Sequence, residues 1–156
     1  MKFINQKIGI FFWKLIVAFP IKFQNVLANI LFSFLKNPNL KRNIFSRKNI
    51  DAAFPNLNEQ EKINLFNKNL KSMICGIFDT GKAWFWNDSK INSLIKYEIF
   101  GLNKLSPTKG NLLIFKHSHH LELDSRILGM HSELYGVERA HNSTFLQKVQ
   151  SMGRLK

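Results

Sequence analysis

The residues best suited to proton-transfer chemistry lie in the run KHSHHLELDS, which starts at Lys116. Two histidine–carboxylate pairs share one spacing there, His117 with Glu122 and His119 with Asp124. On a continuous helix, residues five apart point about 140° away from each other. A pair can therefore meet only if the histidine lies in a loop and the carboxylate lies at or before the first helical turn.

Such a pair suits removal of a proton from a hydroxyl group. Neutral imidazole accepts a proton readily near neutral pH, and a carboxylate on the other ring nitrogen holds the tautomer and stabilises the imidazolium. If the acyl donor is an activated thioester, no serine or cysteine nucleophile is needed. Two alternatives stay open. The histidines could be surface residues without function, or two of them with His131 or His141 could bind zinc, although the spacing matches no zinc motif that we recognise.

The flanking sequence predicts a strand, a loop and a helix around the histidine run. Asn111–Phe115 is an apolar stretch after the turn at Pro107–Gly110, as expected of a buried strand in a parallel or mixed sheet. In open α/β sheets ligands bind beyond the carboxyl ends of strands, where the histidines would lie. The sequence therefore predicts an α/β fold. Further strands are predicted over 97–101 and 133–137, and helices over Asp124–Met130 and Thr144–Met152.

A long helix is predicted before this region. Asn58 followed by Glu61 is typical of an N-terminal capping box, and Asn87 with Asp88 should end the helix. A weaker helix should cover Lys90–Ile95. Apolar residues recur every seven positions at Ile63, Leu70, Ile77 and Trp84, with Phe66, Met73 and Ile74 on the same face.

Residues 1–36 are predicted to be a membrane anchor or interfacial helices. Ile8–Phe19 is apolar except for Lys14 and ends at Pro20, which makes it shorter than the roughly 20 residues that cross a bilayer as a helix. Ile21–Lys36 is amphipathic at helical spacing. Together the two segments could span with a kink or lie in the membrane interface. The alternative is a buried helix of a soluble core.

Composition bounds the remaining possibilities. The formal net charge is +13, and hydrophobic residues make up 45% of the 156 positions, so wholesale disorder and an acidic tail are excluded. The single cysteine, Cys75, rules out an intrachain disulfide framework and a thiolate zinc site. The positive charge reflects codon bias or an anionic partner, either nucleic acid, anionic lipid or an acidic carrier protein. Residues 37–49 are predicted to be a basic connector, which is either an exposed loop or a contact for anionic headgroups.

Several stretches, taken in order, resemble the late acyltransferases of lipid A biosynthesis, the lauroyl and myristoyl transferases of Gram-negative bacteria. The resemblance runs from about Trp13 to Lys156. Its most specific parts are DTGKAWFWND at Asp79–Asp88 and the H-x-x-x-L-E core within Gly110–Glu122. The other matching parts are NIDAAFP at Asn49–Pro55 with LNEQE after it, Gly136-Val137, Arg139, Asn142, and Val149-Gln150 with Gly153-Arg154.

The resemblance implies roles for particular residues. His117 would be the general base on a hydroxyl of a 3-hydroxyacyl chain in a lipid A precursor, and Glu122 would orient it. Arg139, Asn142 and Arg154 would bind substrate. The acyl donor would be acyl carrier protein, an acidic partner suited to a basic surface. No cofactor and no metal are implied, and the location would be the cytoplasmic face of the inner membrane, in contact with membrane lipid.

The resemblance also implies a fold, and the sequence departs from the family in two ways. We expect an incomplete glycerolipid-acyltransferase-like sheet with flanking helices over residues 37–156, preceded by a membrane-associated N-terminal helix. Glu138 and Ala140 replace the tyrosine and proline of the family around Arg139, and a carboxylate there would compete with an anionic ligand. The chain also stops at Lys156, about halfway through a family member, so the domain is expected to be truncated.

Two other function classes compete with the acyltransferase. One is a basic nucleic-acid-binding protein, but the aromatic residues concentrate in apolar runs and no nucleic-acid-binding motif is found. The other is a noncatalytic remnant at the membrane periphery. Salt-dependent binding of nucleic acid would identify the first class. The absence of acyl-transfer activity would identify the second.

Overall fold

The computed structural model of the chain describes residues 2–106, 108–137, 140 and 142–154. Within these residues the chain divides into two compact units, Leu15–Phe78 and the pair of segments Met1–Lys14 and Asp79–Lys156. The regular structure consists of helices α1 (Lys2–Ala18), α2 (Ile21–Leu35), α3 (Lys41–Ala53), α4 (Glu59–Phe85), α5 (Asp88–Leu94), α6 (Leu121–Gly129) and α7 (Thr144–Arg154), with a 3₁₀ turn at Leu102–Lys104.

The α/β prediction, with its incomplete sheet, is wrong. Residues 97–101, 111–115 and 133–137 have no regular structure, and no β-ladder is formed anywhere in the described part of the chain. The side chains of Leu112 and Ile114 are 90% and 91% exposed, so this apolar run is not a buried strand. A strand needs a neighbouring strand to satisfy its backbone N–H and C=O groups. Apolar composition is a local property and does not supply that neighbour.

The long helix is confirmed as α4, and its capping box is formed. The backbone N–H of Asn58 donates to Glu61 Oε2 at 2.9 Å, and the backbone N–H of Glu61 donates to Asn58 Oδ1 at 3.0 Å. The buried stripe differs from the predicted seven-residue repeat, because Ile77 is 51% exposed. The side chains that are buried follow a spacing of four residues, at Phe66, Leu70, Ile74 and Phe78.

The two predicted N-terminal helices are confirmed, with a break at Pro20. Gln24 is buried, and its Nε2 donates to the carbonyl oxygens of Val17 at 3.1 Å and Phe19 at 2.9 Å. These carbonyls lie where α1 ends, so one amide satisfies groups that the helix leaves without partners. None of the helices in the described residues combines the length and the apolar character that a membrane crossing requires.

The predicted connector over residues 37–49 is largely a helix instead. Asn43 is buried in α3, and its Nδ2 donates to the carbonyl oxygens of Leu35 at 2.6 Å and Asn37 at 2.7 Å. The amide thus caps the end of α2 and fixes the start of α3. Ion pairs join α3 to the region of α4 at Arg47–Glu59, 3.0 Å, and Asp51–Lys62, 3.3 Å.

Three short helices lie before and after the histidine run, and one of them has a side-chain cap at its start. Asn87 caps α5 by accepting a hydrogen bond from the Lys90 backbone N–H at 2.9 Å. Helix α6 begins at Leu121, three residues before the predicted start, and places Glu122 in its first turn. Helix α7 begins at Thr144 as predicted.

Candidate functional site

The carboxylate of Glu122 is the centre of a cluster that three helices assemble. Its Oε2 accepts hydrogen bonds from Trp84 Nε1 at 2.8 Å and from Arg154 Nε at 3.0 Å, and its Oε1 accepts one from the other end of the Arg154 guanidinium. Glu122 comes from the first turn of α6, Trp84 from the last turns of α4, and Arg154 from the end of α7. Three donors from two sides hold this carboxylate in one orientation.

A close approach between α7 and α4 places Arg154 beside Glu122. A Cβ atom added at Gly153 would lie 2.7 Å from both Cβ and Cγ of Trp84 and 3.0 Å from its Cα. Only a glycine allows this approach, because real Cβ atoms essentially never come so near. The indole of Trp84 is further supported by the ring of Trp13, whose centroid lies 5.4 Å away in an edge-to-face arrangement.

The cluster keeps Glu122 ionised. Burial would by itself raise the pKa of Glu122, because removal from water disfavours the charged form. The hydrogen bonds from Arg154 and Trp84, with the positive charge of Arg154, outweigh burial and lower the pKa below its ordinary value of 4.5. Glu122 is therefore an acceptor of N–H groups at neutral pH and not a proton donor.

Among the described residues, no hydrogen bond joins the predicted catalytic pair, His117 and Glu122. His117 lies in the irregular stretch before α6, where its side chain is exposed, and none of the described residues forms a hydrogen bond with it. The described donors to Glu122 are Trp84 and Arg154. His119 and Asp124 are both exposed, and no ion pair between them is found in the part of the chain that the structure describes.

The three residues predicted to bind substrate have different outcomes. Arg139 lies outside the described residues. Asn142 is exposed in the bend before α7. Arg154 reaches the cluster, where its side chain, 39% exposed, bonds to Glu122.

A histidine–carboxylate pair that the sequence did not predict is formed nearby. His120 Nδ1 lies 2.5 Å from Asp79 Oδ2, and the other carboxylate oxygen of Asp79 accepts a hydrogen bond from Lys82 Nζ at 2.6 Å. Asp79 and Lys82 lie on α4, and His120 directly precedes α6. The pair spans 41 positions, so spacing could not reveal it. The available signal was the position of Asp79 at the start of the DTGKAWFWND run.

In the part of the chain that the structure describes, no set of side chains is placed to bind the zinc ion that the sequence left as an alternative. No three His, Cys, Asp or Glu side chains are grouped there to hold a metal ion. His131 instead lies against Tyr97, whose hydroxyl is 3.0 Å from Nε2, and His141 lies outside the described residues.

Comparison with known proteins identifies the family. The sequence pattern of bacterial lipid A biosynthesis acyltransferases matches residues 2–156. A lipid A biosynthesis acyltransferase of Haemophilus influenzae is 34% identical over 155 residues, which is 96% of this chain and 49% of that protein. In Escherichia coli, a lipid A biosynthesis lauroyltransferase is 31% identical over 83% of this chain and 42% of its own length. A palmitoleoyltransferase of the same organism is 29% identical over 74% and 39%.

No solved structure matches the chain at a comparable level of significance. The chain spans about half or less of the length of the curated relatives that it matches. The match nevertheless covers nearly every residue that the chain has, including all three helices that build the Glu122 cluster. This chain therefore belongs to the bacterial lipid A biosynthesis acyltransferase family.

Proposed function

We propose that this chain takes part in the transfer of a fatty acyl group from acyl carrier protein to a hydroxyl of a lipid A precursor. In this reaction the hydroxyl loses its proton, its oxygen bonds to the thioester carbon, the carbon–sulfur bond breaks, and the thiolate takes up a proton. The observation that carries the proposal is the Glu122 cluster, which lies beside the histidine run within the residues that match the family.

In this proposal His117 is the general base and Glu122 orients it. The exposed side chain of His117 is open to a hydroxyl. An ionised carboxylate offers about four lone-pair sites, and the described donors to Glu122 use two on Oε2 and one on Oε1. Oε1 therefore keeps the capacity to accept an imidazole N–H. The ionised state of Glu122 would stabilise the imidazolium that forms.

Substrate binding falls to Arg139, Asn142 and Arg154. A guanidinium has five N–H donors, and Glu122 takes two from Arg154, at Nε and at one terminal nitrogen. A guanidinium in this position suits a phosphate of the acceptor or of the carrier's prosthetic group. We place the reaction at the cytoplasmic face of the inner membrane, where an acidic carrier protein meets a chain of net charge +13.

The test is an acyl-transfer assay on membranes that carry the full chain, with lauroyl- or palmitoleoyl-acyl carrier protein as donor and a lipid A precursor as acceptor. Replacement of a general base typically lowers the rate by about 10²- to 10⁴-fold. We expect a loss of that size for His117→Ala. The matched control is His119→Ala, which removes another exposed histidine two residues away and should leave the rate within about twofold.

Each outcome decides a part of the proposal. Full activity in His117→Ala would remove His117 from the mechanism. The absence of transfer by the unaltered chain would overturn acyl transfer as its function.

A further inference from the structure

The link between Asp79 and His120 ties the start of α6 to α4. Asp79 is acceptor-only when it is ionised, so the 2.5 Å contact means that His120 Nδ1 carries the proton and donates it. The side chain of Asp79 is only 15% exposed, whereas that of His120 is 40% exposed. The imidazole of His120 lies directly before the first residue of α6. Its bond to a nearly buried carboxylate therefore fixes the backbone position at which the helix begins.

Lys82 binds the other oxygen of the Asp79 carboxylate. Its Nζ donates to the second oxygen of Asp79 at 2.6 Å, and its side chain is only 9% exposed. The nearly buried cation compensates the nearly buried carboxylate, so neither charge is left alone in a poorly hydrated place. Asp79 is therefore held on one side by its own helix and can act as a fixed anchor for His120 on the other.

The first turn of α6 has a second link to α4, through Glu122. His120 and Glu122 lie two residues apart, and their partners Asp79 and Trp84 lie five residues apart on α4. The two links bear on the same helical turn. A shift at His120 must therefore move the Glu122 carboxylate relative to the Trp84 indole and the Arg154 guanidinium.

We propose that Asp79 and His120 form a positioning pair that holds the first turn of α6 so that Glu122 meets Trp84 and Arg154. The consequence for acyl transfer rests on the function proposed above. The geometric part does not, because it concerns the position of a carboxylate that can be observed without turnover.

The geometric test uses the full chain in detergent micelles with ¹⁵N-labelled tryptophan. The chain has three tryptophans, and Trp84→Phe assigns the indole N–H resonance of Trp84. Glu122→Gln marks the position of that resonance when the hydrogen bond is altered. We expect His120→Ala and Asp79→Asn to move the Trp84 resonance toward the Glu122→Gln position. His120→Asn, which keeps a donor near the place of Nδ1, should restore it, and His119→Ala should leave it unmoved.

The activity test asks whether His120 acts through Glu122. Misplacement of a catalytic group by about 1 Å can cost about 10²-fold in rate. We expect a loss of that order in kcat for His120→Ala, with recovery in His120→Asn, and no further loss when His120→Ala is added to Glu122→Gln. An unmoved Trp84 resonance in both His120→Ala and Asp79→Asn would overturn the positioning pair. Additive losses would overturn its action through Glu122. If His120→Ala does not fold, the isosteric Asp79→Asn decides alone.

Discussion

At the scale of single residues, the pairing of Arg154 with Glu122 depends on the residue that precedes the arginine. Gly153 lies against the backbone and the first side-chain atoms of Trp84, and that indole donates to the same carboxylate as Arg154. The glycine, the tryptophan and the arginine thus act on one acceptor. A side chain at position 153 would separate the helices at the point where the cluster forms.

The first prediction concerns Gly153→Ala. The new Cβ would lie 3.0 Å or less from three atoms of Trp84, one of them backbone. These atoms of Trp84 belong to the backbone and the base of the side chain, so they cannot move aside easily. Overpacking of this kind typically lowers the free energy of unfolding by about 1–3 kcal/mol. We expect the free energy of unfolding to fall by that amount in denaturant titrations, together with a shift of the Trp84 indole resonance.

The control for this prediction is Gly9→Ala in α1. It is the same substitution within a helix, but nothing lies within 4 Å of the new Cβ. Because alanine favours helix over glycine by about 1 kcal/mol, Gly9→Ala should leave stability unchanged or raise it. Equal effects of the two substitutions would contradict the close approach.

Residue chemistry shows what a sequence can reveal about this site. Glu122 and Arg154 could be selected from the sequence, because both stand in short runs that resemble a family. Their contact could not, since it joins residues 32 positions apart and depends on the packing of α7 against α4. The Asp79–His120 pair was missed for the same reason: spacing within one run favoured His117 and His119, which are exposed and have no hydrogen bond among the described residues.

At the scale of elements, buried side-chain amides organise the helices of the unit Leu15–Phe78. Gln24 bonds to carbonyls at the end of α1, and Asn43 bonds to carbonyls at and after the end of α2. Each amide comes from the helix that follows the break. The two breaks are therefore closed by the same device, in which the next helix satisfies the carbonyl groups of the helix before it.

The second prediction tests this device with Gln24→Met. Methionine has nearly the same shape but no donor, so the Val17 and Phe19 carbonyls lose their described side-chain partner. An intramolecular hydrogen bond typically contributes about 0.5–1.5 kcal/mol, so we expect the loss of these two bonds to lower the free energy of unfolding by about 1–3 kcal/mol. Gln60→Met on α4 is the matched control, because Gln60 bonds at the exposed surface. Its effect should stay within about 0.5 kcal/mol. Equal losses would show that hydrogen bonding by Gln24 is unimportant.

The elements differ in how far the sequence predicts them, and the reason is physical. Helix α4 could be predicted with its cap, because its hydrogen bonds, its capping box and its apolar stripe all lie within about 30 residues of chain. Helix α3 was missed, since its polar sequence carries little periodicity and its start depends on a buried contact of Asn43 with the preceding turn. The strands were predicted from apolar runs, but pairing with another strand is a long-range property that such runs do not encode.

At the scale of the whole molecule, the distribution of charge and of exposed apolar side chains bears on where the protein acts. The net charge is +13. On α2, Phe23, Val26, Ile30 and Phe34 recur at helical spacing and are all exposed, whereas Gln24 and Ala28 on another side of the helix are buried. A face of this kind on a basic protein suits the interface of an anionic membrane, where apolar side chains enter the boundary layer and lysines meet headgroups.

The last prediction follows from that distribution. The full chain should sediment with phosphatidylglycerol vesicles and much less with phosphatidylcholine vesicles. A rise in salt from about 0.1 M to about 1 M should weaken binding, because the Debye screening length falls from roughly 10 Å to roughly 3 Å. Phe34→Ser removes a phenylalanine that is 76% exposed on this apolar face of α2. Burial of such a side chain contributes about 1.5–3 kcal/mol, so the affinity should fall by about 10- to 100-fold.

Phe100→Ser is the control, since Phe100 is 85% exposed but lies far along the chain from α2. If the two substitutions weaken binding equally, or if neutral and anionic vesicles bind alike, α2 is not the membrane-facing surface. The salt and lipid dependence then separates attraction to headgroups from burial of the phenylalanine, because only the first responds to screening.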